Sequence, residues 1–363
     1  MKTRRVFLLA VFALAAACAN AAAPGAAPAR PNILLLCVDD LRPELRSFGA
    51  AYIHSPAMDS LAASGRAFTR HYVQAPTCGA SRSALLTGQY ASAPELRGND
   101  ALLLRAARPD TAPPTLPRHF RENGYRTVAI GKISHHPGGL GGKDWADPAK
   151  VEMPGAWDAN LMPSGPWQTP QRAMHGYTGG RPRVPGKTPA FEHTDESDEL
   201  AYPDGWITRE ALAQMETLAA AQSPFFLAVG IIKPHLPFVT PRAYLDLYAG
   251  VELPPIPHPQ RPAGLSTWHE SKEFFSSYAH DGRDPRTDAA YADQIRRSYA
   301  ASVSYADAQV ARILEKLDAL GLAQNTLVVL WGDHGWHLGE HAIWGKHALF
   351  EESLRAPLVI RAP

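Results

Sequence analysis

Four short, largely apolar runs constrain this chain more than any other feature: residues 32–38, 126–130, 225–231 and 326–331. Strands covered on both faces read as continuous apolar runs, whereas a half-exposed strand alternates. The later three each follow helical-looking sequence. In the clearest case, residues 295–320, Val303, Ala306, Val310, Ile313, Leu314, Leu317 and Leu320 fall on one stripe, and Gly321 supplies a C-terminal stop. Helices alternating with buried strands predict an α/β domain in which a largely parallel central sheet carries helices on both faces.

The bulk properties fit one such domain. The chain has 363 residues, 45% of them hydrophobic, enough for a sizeable core. Lys2, Arg4 and Arg5 precede a short apolar run and then small residues, the pattern of an export signal over residues 1–21. Residues 22–30, rich in Ala and Pro, read as a linker, and 31–363 as the folded domain. The segment before Cys18 also resembles a lipobox, so export predicts a periplasmic or secreted protein, lipid-anchored if Cys18 is the acceptor. Without the three basic residues of the leader the formal charge falls from +1 to −2. Neither nucleic acid nor an anionic membrane surface is then expected as a bulk partner. Cys37 lies inside an apolar run, leaving Cys78 as the other body cysteine, so no disulfide framework is expected. Residues 136–204 and 251–290 are rich in Gly and Pro, show little periodicity, and read as loops walling a pocket.

What leaves each apolar run carries the functional signal. The first delivers Asp39-Asp40, the second Gly131-Lys132-Ile133-Ser134-His135, the third Lys233-Pro234-His235 and the fourth Asp333-His334-Gly335. Open α/β sheets bind ligands beyond the carboxyl ends of their strands, so these four exits predict one composite site. An acidic pair after a strand often only caps a helix or faces solvent. Joined by Asp333-His334, three carboxylates and an imidazole suit a divalent cation, with oxygen-rich donors favouring Ca²⁺ or Mg²⁺ over zinc. Cys78 opens another helical segment that Gly88 closes. A helix N-terminus lowers a thiol pKa, so Cys78 reads as a reactive thiol or a buried structural one. Arg82, one turn on, is a surface charge or a partner for Asp39 or Asp40. Lys132 and His135, His235 and Lys346 could add a cationic ring.

The string Cys78-Gly79-Ala80-Ser81-Arg82, continued by Ser83-Ala84-Leu85-Leu86-Thr87-Gly88, resembles the signature of the sulfatase family. Phe225 to Gly230 leading into Lys233-Pro234-His235, and Asp333-His334-Gly335-Trp336-His337-Leu338-Gly339-Glu340-His341, are similar to its iduronate-2-sulfatase branch. The resemblance implies an alkaline-phosphatase-like fold and a formylglycine made from Cys78 by a maturation enzyme. It implies one Ca²⁺ (or Mg²⁺) on Asp39, Asp40, Cys78, Asp333 and His334. Arg82, Lys132, His135, His235 and Lys346 would be catalytic, with Arg82 holding the formylglycine hydroxyl and His235 protonating the leaving oxygen. The implied substrate is a sulfated saccharide, foremost a 2-O-sulfated uronic acid. A phosphoester or phosphonate-ester hydrolase of the same superfamily, and a non-catalytic sulfated-glycan-binding protein, are the alternatives. Two features depart from the family pattern: Ala80 stands where many members have proline, and the sequence given stops at Pro363. Members continue into a small C-terminal antiparallel subdomain, so a domain truncated relative to the family is expected.

Overall fold

A computed structural model describes residues 30–108, 112–136, 152–195 and 197–363. The leader, nearly all of the linker, Cys18 and part of the first long loop (137–151) lie outside the described residues. Seven strands form the main sheet: β1 (Asn32–Val38), β2 (Arg66–Ala67), β3 (Arg126–Gly131), β4 (Ala159–Leu161), β5 (Phe225–Ile231), β6 (Thr326–Gly332) and β7 (Leu358–Arg361). Their order is β2-β7-β6-β1-β5-β3-β4. The five strands from β6 to β4 run parallel, and β7 pairs antiparallel with both β6 and β2.

Burial on both faces explains the apolar runs. Along β1, Leu34, Leu36 and Val38 point to one side and Ile33, Leu35 and Cys37 to the other, as a two-residue side-chain period requires. The first face packs on α1 (Pro56–Ser64), on Ile207, Ala211, Met215 and Leu218 of α3 (Pro203–Ala221), and on α5 (Ala289–Ala319). The second packs on Leu86 of α2 (Cys78–Thr87), on Leu102 and on Phe120. Cys37 is buried and free, as is Cys78. No helix among the described residues is long and apolar enough to cross a membrane.

Two expectations on local structure need correction. The long loops hold regular elements: β4 lengthens the sheet, and Phe191–Thr194 pairs parallel with Phe238–Pro241. A short helix, α4 (Lys272–Ser277), interrupts the second. These pieces are too short to show a period in sequence and are held by burial of single side chains such as Phe274. The long helix starts at Ala289 rather than Ile295, because the Asp288 side chain accepts the Tyr291 amide at 2.9 Å and caps it. Val303, Ala306, Val310, Ile313 and Leu317 of its stripe are buried, Leu314 and Leu320 are half-buried, and Gly321 follows with φ +68.

The fold positions the site through close backbone approach between β3 and β5. The Lys132 amide donates to the Gly230 carbonyl at 2.9 Å, and a Cβ on Gly230 would stand 2.1 Å from the Lys132 carbonyl oxygen. Only glycine fits there. Gly230→Ala should therefore lower the stability read by urea denaturation by about 1–3 kcal/mol, the cost of overpacking; an unchanged midpoint contradicts this packing.

Candidate active site

Cys78 is the first residue of α2, behind an extended Thr77 (φ −141, ψ 128). The turn is tight: a Cβ on Gly79 would lie 2.2 Å from the Asn99 carbonyl oxygen, so glycine is required beside the cysteine. The helix ends at Gly88 in the left-handed region, φ +65. This brings Cys78 and Arg82, both buried, against the carboxyl edge of the sheet.

At that edge the strand exits converge. Ligand atoms of Asp39, Asp40, Cys78 and His334, all buried, lie within 4.8 Å of one another. His334 Nε2 stands 3.2 Å from Cys78 Sγ and 3.5 Å from Asp40 Oδ1. Asp333 flanks this group. Its Oδ1 accepts the Asp40 amide at 2.9 Å, its Oδ2 accepts Arg82 Nε at 3.0 Å, and Oδ2 is 3.6 Å from His334 Nε2. Asp40 has φ +59, a region that non-glycine residues rarely occupy. The Asp333 contact and the Tyr299 hydroxyl, which donates to the Asp40 carbonyl at 2.8 Å, fix that conformation.

Cations interleave with the acids. Lys132 Nζ donates to Asp39, and Lys346 Nζ donates to Asp40 at 2.8 and 3.1 Å while lying 3.3 Å from Cys78 Sγ. Arg82 donates to Asp333, to Asp39 at 3.1 Å, and to the carbonyls of Lys132 and Ile133. Its donors therefore hold two carboxylates: Asp39, which the salt-bridge alternative named, and Asp333, which it did not. His235 is buried, its Nδ1 against the Leu236 carbonyl at 2.6 Å. His135 sits one step outside, its ring against His136 and its buried Nδ1 without a partner. Trp336 and His337 are buried beside the site, Trp336 stacking on Tyr299.

The electrostatics follow from crowding ionisable groups away from water. Burial pushes Asp40 up to about 8 and Asp333 up to about 6, against Lys346 for the first and His334 and Arg82 for the second. Asp39 resists burial: Lys132 and Arg82 hold it well below the usual range. His334 is raised to about 10, its burial outweighed by Asp333 and Cys78. Burial, Lys346 and Lys132 keep His235 low, and burial and Lys132 keep His135 low, so both are neutral. Asp40 is thus largely protonated near neutral pH, because its protein neighbours offset the cost of burying its charge only partly. Asp39, Asp40, Cys78 and His334 bring their ligand atoms close enough to hold a metal ion, and the carboxylate oxygens, with Asp333 beside them, are donors that suit a hard divalent cation.

Several contributors were not legible beforehand. Asp204, at the start of α3, accepts the amides of Ile232 at 2.7 Å and Lys233 at 2.9 Å and so anchors the third exit. Lys233 turns its ammonium onto the carbonyls of His235 and Pro237, binding its own loop. Glu273 of α4 stands 3.6 Å from Lys346 and 3.7 Å from His235, and the ring of His175 tilts against that of His235. An aspartate at a helix start signals Asp204; nothing local signals Glu273 or His175.

Fold and site together define an alkaline-phosphatase-like protein, a mostly parallel sheet with an acid–thiol–imidazole cluster at its carboxyl edge. Among solved structures with this fold, a phosphonate monoester hydrolase of Agrobacterium radiobacter superposes with a TM-score of 0.71. It is 24% identical, over 92% of this chain and 68% of that one. A structure in complex with D-glucosamine-2-N,6-O-disulfate superposes at 0.63, with 21% identity over 92% of this chain and 71% of the other. The chain belongs to the sulfatase family, whose model matches residues 31–363. It is 35% identical to iduronate 2-sulfatase of Mus musculus over 344 residues, covering 92% of this chain and 59% of that protein. The human counterpart is 32% identical, and the chain spans 60% of its length.

Burial opposes the Cys78 thiolate, but Lys132 and Lys346 outweigh it and lower Cys78 to about 6. Burial raises Cys37 to about 12, so it stays silent. Thiolate absorbance should therefore rise through a midpoint near pH 6, and Lys346→Met should move that midpoint upward. A midpoint at the value of a free thiol in both proteins contradicts this electrostatic picture.

Proposed function

We propose that this protein hydrolyses sulfate monoesters on a sulfated saccharide, using position 78 as formylglycine and a Ca²⁺ or Mg²⁺ ion held by Asp39, Asp40, Asp333 and His334. The observation that carries the reading is the placement of Cys78 Sγ between His334 Nε2 and Lys346 Nζ, inside the acidic cluster. When present, the hydrated aldehyde supplies a nucleophilic hydroxyl and the ion draws charge from the sulfate oxygens.

The chain's own residues do the rest. Arg82 fixes Asp39 and Asp333, so the acids are set before any ligand arrives. Lys132 and Lys346, held on Asp39 and Asp40, present positive charge where the transferring group gathers negative charge. His235 is neutral at rest and faces the site through Nε2. An entering anion raises its proton affinity, which equips it to protonate the leaving oxygen. His135 adds a second imidazole at the rim.

The 2-O-sulfated uronic acid is the foremost substrate in this reading. It is supported by the similarity to iduronate 2-sulfatase and by the motifs that run from Asp333 to His341. The reading includes a formylglycine-generating enzyme as maturation partner. It also includes export by residues 1–21 to the periplasm or medium, with lipid attachment if Cys18 is the acceptor.

Sulfate release from a disaccharide ending in 2-O-sulfated iduronate should exceed that from 6-O-sulfated glucosamine by roughly tenfold or more in kcat/KM. Cys78→Ser should abolish release from both. Equal rates on the two sugars contradict the uronate assignment, and wild-type turnover by Cys78→Ser contradicts the nucleophile.

A further inference from the structure

We infer that Glu273 is a charge filter that favours singly charged esters over doubly charged ones at this site, an inference that rests on the sulfate-ester reading above. Glu273 sits on α4, which the fully buried Phe274 anchors between Trp336 and Trp344. That anchoring turns the neighbouring carboxylate toward the cations of the site. Oε2 lies 3.6 Å from Lys346 Nζ and Oε1 lies 3.7 Å from His235 Nε2. The same Lys346 Nζ is 3.3 Å from Cys78 Sγ, so a single ammonium separates Glu273 from the reacting position.

Three features of Glu273 bear on its role. It stands outside the group of Asp39, Asp40, Cys78 and His334, so a metal is held without it. Its side chain is 22% exposed while those of Asp39, Asp40 and Asp333 are fully buried, so it alone of these four acids meets solvent. It is also ionised: burial alone would raise it, but Lys346, His175 and His347 hold it at about 2.

A fixed negative charge beside the Lys346 ammonium and the His235 imidazole that meet an entering anion repels that anion in proportion to the anion's own charge. A sulfate monoester carries one negative charge, as does a phosphonate monoester. A phosphate monoester above neutral pH carries two. Glu273 therefore penalises the phosphate ester about twice as strongly as the sulfate ester, at equal shape. A carboxylate that only positioned Lys346 and His235 would affect all these esters alike.

The test is calorimetric binding in the Cys78→Ala protein, which cannot turn over, with Ca²⁺ supplied at pH 8. The ligands are 4-nitrophenyl sulfate and 4-nitrophenyl phosphate. With Glu273 present the sulfate ester should bind more tightly. Glu273→Gln should improve the phosphate ester relative to the sulfate ester by roughly tenfold or more, and Glu273→Asp should keep the original ratio. An unmoved ratio in Glu273→Gln, or a parent protein that binds the phosphate ester as tightly as the sulfate ester, overturns the filter. If neither ester binds, the sulfate-ester reading itself falls, and the filter with it.

Discussion

A single buried guanidinium holds the site together. Arg82 has no exposed surface, and it joins α2 to three strand exits: Asp39 after β1, Asp333 after β6, and the carbonyls of Lys132 and Ile133 after β3. Its planar fork suits two carboxylates at once, which an ammonium could not serve with the same geometry. Burial alone would disfavour its charge, yet Asp333 and Asp39 hold it firmly protonated. Removing one member of such a buried set strands the others, at a cost of about 3–5 kcal/mol. The position of Cys78 depends on this arginine, because the two lie on one turn of the same helix.

Around that centre the protein alternates charge rather than separating it. Lys132 faces Asp39, Lys346 faces Asp40, and Arg82 faces Asp39 and Asp333. Each carboxylate is desolvated, and the partial compensation leaves Asp40 near 8. A site of this kind is primed for a divalent ion and for a ligand that is itself anionic, since each supplies charge the other needs. The neutral state of His235 belongs to the same balance: with Lys132 and Lys346 nearby, a further positive charge is disfavoured until an anion enters. Glu273 then limits how much negative charge the site accepts.

Much of this was legible in the sequence, for a physical reason. Strands β1 and β5 are covered on both faces, so their apolar runs mark their limits, 32–38 and 225–231, without ambiguity. Parallel strands place their exits on one edge, so residues scattered from Asp39 to His334 could be assigned to one site from order alone. The role of Arg82 was half legible. Its spacing from Cys78 was clear, but which carboxylates it met depended on how α2 docks. The short edge strand β4 left no periodic signal. Glu273 and His175 lay in loops whose return path is set by the burial of Phe274 and its neighbours, a tertiary effect that local pattern does not carry.

Mass analysis of the tryptic Cys78 peptide, with sulfate release assayed on the same preparation, tests the central claim most directly. The protein should come from cells that also make a formylglycine-generating enzyme. The account predicts a peptide lighter by the exchange of a thiol-bearing carbon for an aldehyde, in a sample that releases sulfate in proportion to the converted fraction. A fully converted sample that binds sulfated sugar and releases no sulfate contradicts it.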